Sequence, residues 1–132
     1  EKGTGAWMND MRMRVSGRNK MIESVFSTGI PFAGRSDLPI TLRELARLMP
    51  VVAGVRRWGA ASLDLAYVAA GRYDGYWERR LQSWDIGAGS LIAREAGALV
   101  EPLNPHGNIV EDGEIICANE PLFPQLVKII RQ

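Results

Sequence analysis

Short apolar strands alternating with amphipathic helices predict an α/β fold for this chain of 132 residues. Three observations carry that expectation. Residues 72–78, Arg-Tyr-Asp-Gly-Tyr-Trp-Glu, read as an aromatic strand. Its period of two puts Tyr76 and Glu78 on one face and Trp77 on the other. Residues 84–96 repeat Ile86, Leu91, Ile92 and Ala96 at helical steps, and Gly97 ends that run before residues 98–100, which read as a buried strand. Residues 59–69 form a third patterned stretch, a helix opened by small residues and stopped by Gly71 as its C′ glycine.

The remaining elements follow in chain order. Residues 5–9 and 11–15 read as two strands around an Asn9-Asp10 turn. Residues 20–27 read as a strand, and 27–32, Ser-Thr-Gly-Ile-Pro-Phe, as the loop that closes it. Small hydroxyls and a glycine at a strand end suit either a pocket rim or an ordinary turn. Residues 35–39 read as a polar linker. Thr41 is the expected N-cap of the next helix, with Glu44 completing a capping box. That helix is expected to bury Leu42, Leu45, Leu48 and Met49, turn Arg43, Glu44 and Arg47 outward, and stop at Pro50. Residues 55–59 read as a strand and 102–112 as a loop. Residues 114–118 form a last buried strand, after which Asn119 caps a closing helix that carries Leu122, Leu126, Val127 and Ile130.

Composition bounds the function. Apolar residues make up 46% and charged residues 23%, as in an ordinary folded domain, and the length suits a single one, residues 1–132. A net charge of +1 gives no electrostatic case for direct nucleic-acid binding. No run of about 18 apolar residues is present, so no membrane partner is expected. The single cysteine, Cys117, excludes an internal disulfide and suits a reducing, cytoplasmic setting; its apolar neighbours make it a core residue. The single histidine, His106, lies in a Pro/Gly loop without a second ligand nearby and makes a poor metal site.

Chemistry concentrates in residues 84–100. Asp85 stands at or near a helix N-cap, where its oxygens can accept orphan backbone N–H groups. Gly87, Ala88 and Gly89 leave room for another group to approach the backbone. From these features alone, Asp85 is either a helix cap or an acid held beside a polar ligand or metal. The small-residue helix start at Gly59, Ala60 and Ala61 exposes backbone N–H groups that favour anions.

The spelling Trp-Asp-x-x-x-Gly-x-x-x-x-x-Glu-Ala-Gly at 84–97 resembles the C-terminal signature of the inositol monophosphatase family. These are Mg²⁺-dependent, lithium-sensitive phosphatases of the wider fructose-bisphosphatase and inositol phosphatase group. The likeness extends over nearly the whole chain, including Gly3-Thr4-Gly5-Ala6 and Arg14-Val15-Ser16. Gly87 and Ala98 depart from the commoner Ala and Gly, and neither touches the acid. The resemblance implies the C-terminal half of a layered α-β-α-β-α sugar-phosphatase fold, with a mixed sheet flanked by helices. The family's other metal motif, Asp-Pro-x-Asp-Gly-Thr, and its upstream glutamate do not occur in these residues.

By resemblance, Asp85 is a metal ligand and catalytic residue. Glu78 accepts from substrate hydroxyls, and Gly59, Ala60 and Ala61 contact substrate through their backbone. Arg56 matches a family arginine near the substrate or the subunit contact. The substrate implied is a small polyol phosphate monoester such as inositol 1-phosphate, and the cofactor Mg²⁺. The remaining ligands are expected from the missing N-terminal half of the same chain, so these residues alone are not expected to turn over. A homodimer is a family expectation. Relatives acting on fructose bisphosphate, histidinol phosphate or adenosine bisphosphate remain alternatives, as does an interaction module for the transcription machinery. The blander readings are surface charges for Arg56, Arg57, Glu78, Arg79 and Arg80, and a purely capping Asp85.

Overall fold

A computed structural model describes residues 1–31 and 36–132. Phe32 of the expected loop and Arg35 of the expected linker lie outside the described residues.

The first element is the expected hairpin, pairing β1 (Trp7–Met8) with β2 (Met11–Arg12) antiparallel. Asn9 and Asp10 both take positive φ, 51° and 64°, the backbone of a turn whose twist matches the strands it joins. The paired region is shorter than the sequence suggests.

A five-stranded mixed sheet forms the centre. Its strands are β3 (Val25–Thr28), β4 (Gly54–Arg56), β5 (Gly75–Glu78), β6 (Leu99–Glu101) and β7 (Ile115–Ala118), in the order β4-β3-β5-β7-β6. β4, β3 and β5 run parallel, while β7 is antiparallel to both β5 and β6. The helices are α1 (Leu38–Leu48), α2 (Ala61–Ala69), α3 (Ser83–Glu95), the short α4 (Ile109–Asp112) and α5 (Phe123–Ile130). From β3 the chain crosses through α1 to β4 on one side, then returns through α2 to β5 on the other. Right-handed crossovers in opposite directions put α1 and α2 on opposite faces.

The cores bear this out. One joins Phe26, Trp77 and Ile116 to Leu48 of α1 and Leu126 of α5. The other joins Tyr76, Ile115 and Cys117 to Leu65 of α2 and Ile86 of α3. Tyr76 and Trp77 therefore face opposite layers, as their alternation predicts. The fold is the expected α/β layering with a mixed sheet between helices.

Several local expectations need correction. Residues 20–27 do not form one strand: a 3-10 turn occupies Met21–Glu23 and β3 starts at Val25. Helix α1 begins at Leu38 with Asp37 at its N-cap, so Thr41 lies inside the helix, where its hydroxyl donates to the Asp37 carbonyl. Its inward face is Thr41, Glu44 and Leu48, while Leu42 and Met49 are exposed. Glu44 turns inward because Arg79 of a distant segment meets it there. Leu99 is exposed on the sheet-edge strand β6, and the 102–112 loop contains α4, capped by Asn108. Asn119 does cap the turn leading into α5, its Oδ1 accepting from the Leu122 N–H at 3.1 Å.

Asp74 ties the sheet together. It is buried, and its Oδ2 accepts the Val25 N–H at 2.8 Å while its own N–H donates to the Val25 carbonyl at 2.8 Å. Its Oδ1 accepts from Ser16 Oγ and from Arg18 Nη1. Asp74→Ala strands these donors, and a loss of about 2–4 kcal/mol is expected in urea unfolding. A loss below about 1 kcal/mol would show the network to be dispensable.

Candidate active site

A pocket of about 170 Å³ opens at the carboxyl ends of the three parallel strands. Thr28 to Pro31 follow β3, Arg57 and Gly59 follow β4, and Glu78 and Arg79 end β5. Ligands in open α/β sheets collect at such a place, where the chain leaves neighbouring strands in opposite directions. Asp37 and Thr41 of the α1 start close one wall.

Glu78 is fixed within it. Tyr76 donates its phenolic O–H to Glu78 Oε1 at 2.6 Å. Burial pushes the Tyr76 phenol far above its ordinary value, and the Glu78 charge adds to this, so the ring oxygen stays protonated as a donor. Opposite, Gly29 lies directly against Glu78: a Cβ there would overlap the Glu78 carboxyl and push the end of that side chain aside. Thr28 Oγ1 donates to the Trp77 carbonyl at 2.7 Å and locks the ends of β3 and β5 together.

Gly59 and Glu78 thus share one pocket. Arg57, rather than Arg56, lines it; Arg56 ends β4 exposed, its Nη1 donating to the Val55 carbonyl at 3.3 Å. Ala60 is the N-cap of α2 and Ala61 its first residue, both adjoining Gly59 outside the pocket lining. Arg79 is no solvated charge: it is largely buried and pairs with Glu44 and, at 3.9 Å, with Glu114. Arg80 pairs with Asp37 at 3.3 Å.

Asp85 stands apart from this pocket, at the third position of α3 rather than at its N-cap. Gln82 is the cap, and Asp85 Oδ2 accepts the Gln82 N–H at 2.8 Å. Its Oδ1 takes no hydrogen bond among the described residues. Trp84 beside it is 77% exposed. No three metal-ligating side chains converge among the described residues, so Asp85 offers one oxygen donor and not a complete site. His106 is exposed in its loop. Cys117 is fully buried, and burial pushes its thiol up to about 12, the state of a core residue.

Two features escaped the sequence reading. Ser27 on β3 donates to Asp64 Oδ1 in α2 at 2.7 Å, both fully buried, pinning the small-residue start of α2 onto the strand that ends in the pocket. The Glu44–Arg79 pair braces the far wall. Ser27 and Asp64 lie in separate elements, so no local spacing relates them.

The chain matches the sequence model of the inositol monophosphatase family over residues 1–132. It belongs to that family. An inositol-1-monophosphatase of Mesorhizobium japonicum is 46% identical over 132 residues, covering all of this chain and 50% of the relative. The Nus factor SuhB of Pseudomonas aeruginosa is 43% identical, covering 98% of this chain and 49% of its own. Among solved structures, the extragenic suppressor protein suhB of Bartonella henselae superimposes with a TM-score of 0.93 at 43% identity, over 98% of this chain and 50% of that one. The chain spans about half the length of the relatives it matches.

Burial raises the Asp64 carboxyl above its ordinary 3.8, outweighing the Ser27 hydrogen bond that lowers it. A carboxyl raised in the fold binds more protons folded than unfolded, so its contribution to stability is full below 3.8 and is lost as pH rises through the folded value. Asp64→Asn should therefore gain on the wild type as pH is raised, read by urea unfolding at several pH values. A constant difference across pH would place the ionisation elsewhere.

Proposed function

We propose that this chain forms the substrate-binding half of a Mg²⁺-dependent phosphatase acting on a small polyol phosphate monoester such as inositol 1-phosphate. The observation that carries this reading is the placement of Glu78, an acceptor held by Tyr76, in one pocket with Gly59 at the start of α2. A polyol presents hydroxyl donors, and an ionised carboxylate meets them with acceptors alone. The backbone of Gly59, Ala60 and Ala61 at the α2 start offers N–H groups to substrate oxygens. Arg57 and Arg56 lie close in sequence to that shelf, and the Arg57 guanidinium supplies positive charge at the pocket.

The hard-cation preference for oxygen ligands fits Asp85, whose Oδ2 is spent on the helix start while Oδ1 has no hydrogen-bond donor among the described residues. A bound Mg²⁺ would neutralise phosphoryl charge and make its coordinated water a nucleophile near neutral pH. Its other protein ligands come from the remainder of a full-length protein, which the longer relatives possess. The same reading carries homodimerisation, lithium sensitivity and a cytoplasmic location. A second reading, association with the transcription machinery, is favoured by the Nus factor name of the Pseudomonas aeruginosa relative.

Two experiments on the full-length protein test the enzyme reading. Asp85→Asn should lower Mg²⁺-dependent phosphate release on the order of a hundredfold or more, the several kcal/mol a Lewis-acid ion supplies. Its melting temperature should hold, because the Asn Oδ1 can still accept the Gln82 N–H. Activity within about twofold of the wild type would remove Asp85 from the metal site, while loss of hydrolysis with retained protein contacts would separate the two readings. Gly29→Ala displaces Glu78 from Tyr76, and KM for the polyol phosphate should rise about tenfold, equivalent to one hydrogen bond to a charged group. An unchanged KM would dismiss Glu78 as a substrate contact.

A further inference from the structure

The outer helical layer holds a second cavity, of about 340 Å³, between α1, the end of α5 and the loop after β6. Arg43, Arg47, Arg79 and Arg131 line it, with Glu44 and Glu114 the acidic side chains of its wall. Its charges are unevenly compensated. Arg79 is taken by Glu44 and Glu114, and Arg131 by Glu101 at 3.3 Å. Arg43 and Arg47 form no ion pair with the described residues.

These two guanidinium groups sit four residues apart on α1, and so share a face one turn from each other. Like charges at that spacing destabilise a helix. Glu44 is turned inward to Arg79, and its carboxyl also attracts Arg47. Arg47 is also held rigid, its Nε donating to the Ile129 carbonyl at 2.9 Å and its Nη2 to that of Ile130 at 3.4 Å. Those carbonyls are the negative end of α5, so Arg47 is partly compensated by them and by Glu44, while Arg43 has no ion-pair partner among the described residues. Across the cavity, Asn104 Oδ1 accepts the His106 N–H at 3.0 Å, and its amide NH₂ donates to no described residue.

A cavity whose four guanidinium groups outnumber its two carboxylates, with Arg43 unpaired among the described residues and an amide donor in its wall, suits a compact anion with several acceptor oxygens. We propose that it binds a small oxyanion of the phosphate type, as inorganic phosphate or as the head of a phosphate monoester. Guanidinium forks match tetrahedral phosphate oxygens in pairs. This site is separate from the Glu78 pocket and does not rest on the phosphatase reading; only Arg79 lines both.

The test is calorimetric titration of the full-length protein with inorganic phosphate and, separately, methyl phosphate at constant ionic strength. Arg43→Gln should weaken one binding event tenfold or more. Asn104→Asp, which keeps the acceptor for His106 and adds a negative charge to the wall, should weaken the same event. Glu78→Gln should leave it intact. Tighter binding of inorganic phosphate would assign the site to the free ion, and comparable binding of methyl phosphate to a monoester head; either supports the proposal. Titrations of Arg43→Gln and Asn104→Asp that superimpose on the wild type, or binding lost only in Glu78→Gln, would overturn it. Because Arg43 and Asn104 are exposed, both substitutions leave the core untouched.

Discussion

The buried carboxylate of Asp74 is the constraint from which the rest of the architecture follows. It binds the start of β3 through both its backbone N–H and Oδ2, so the first residues of β3 and β5 are set level. Its Oδ1 collects Ser16 and Arg18, and Asn119 donates to the carbonyls of both while its own N–H meets the Asp74 carbonyl at 3.3 Å. One acid thus joins the segment after the hairpin, two parallel strands and the end of β7. Aligning strands at their starts also aligns their carboxyl ends, and those ends are the pocket. Phe26 pairs with Gly75 and Thr28 with Trp77, which brings Gly29 against Glu78.

Local rules proved sufficient where the physics is local. The Asn9-Asp10 turn, the stop at Gly97, the buried strand at β7 and the opposed faces of Tyr76 and Trp77 all follow from backbone preference or a period of two. The reading of α1 failed for the converse reason. Its apolar spacing suggested that Leu42 and Met49 face inward, yet the core side takes Thr41 and Glu44, because an arginine from the end of β5 compensates a buried charge. Nothing within residues 38–48 announces that partner. The same holds for Ser27 and Asp64, whose hydrogen bond exists only once β3 and α2 are stacked.

The candidate site shows this division most clearly. Gly59 and Glu78 were legible as chemistry-bearing positions, but their convergence depends on strand order, which neither spacing nor composition encodes. Asp85 lies beyond that pocket with one oxygen engaged by its own helix. Family membership covers the whole chain, and the relatives extend to about twice its length.

Cys117 has a consequence of its own. It sits at the middle of β7 between Tyr76 and Val100 on the neighbouring strands, fully excluded from water and with its thiol held protonated. A thiol-reactive reagent reaches it only when those strands part. Its labelling rate is therefore a built-in clock for opening of the central sheet, separable from fraying of the hairpin or of the helix ends.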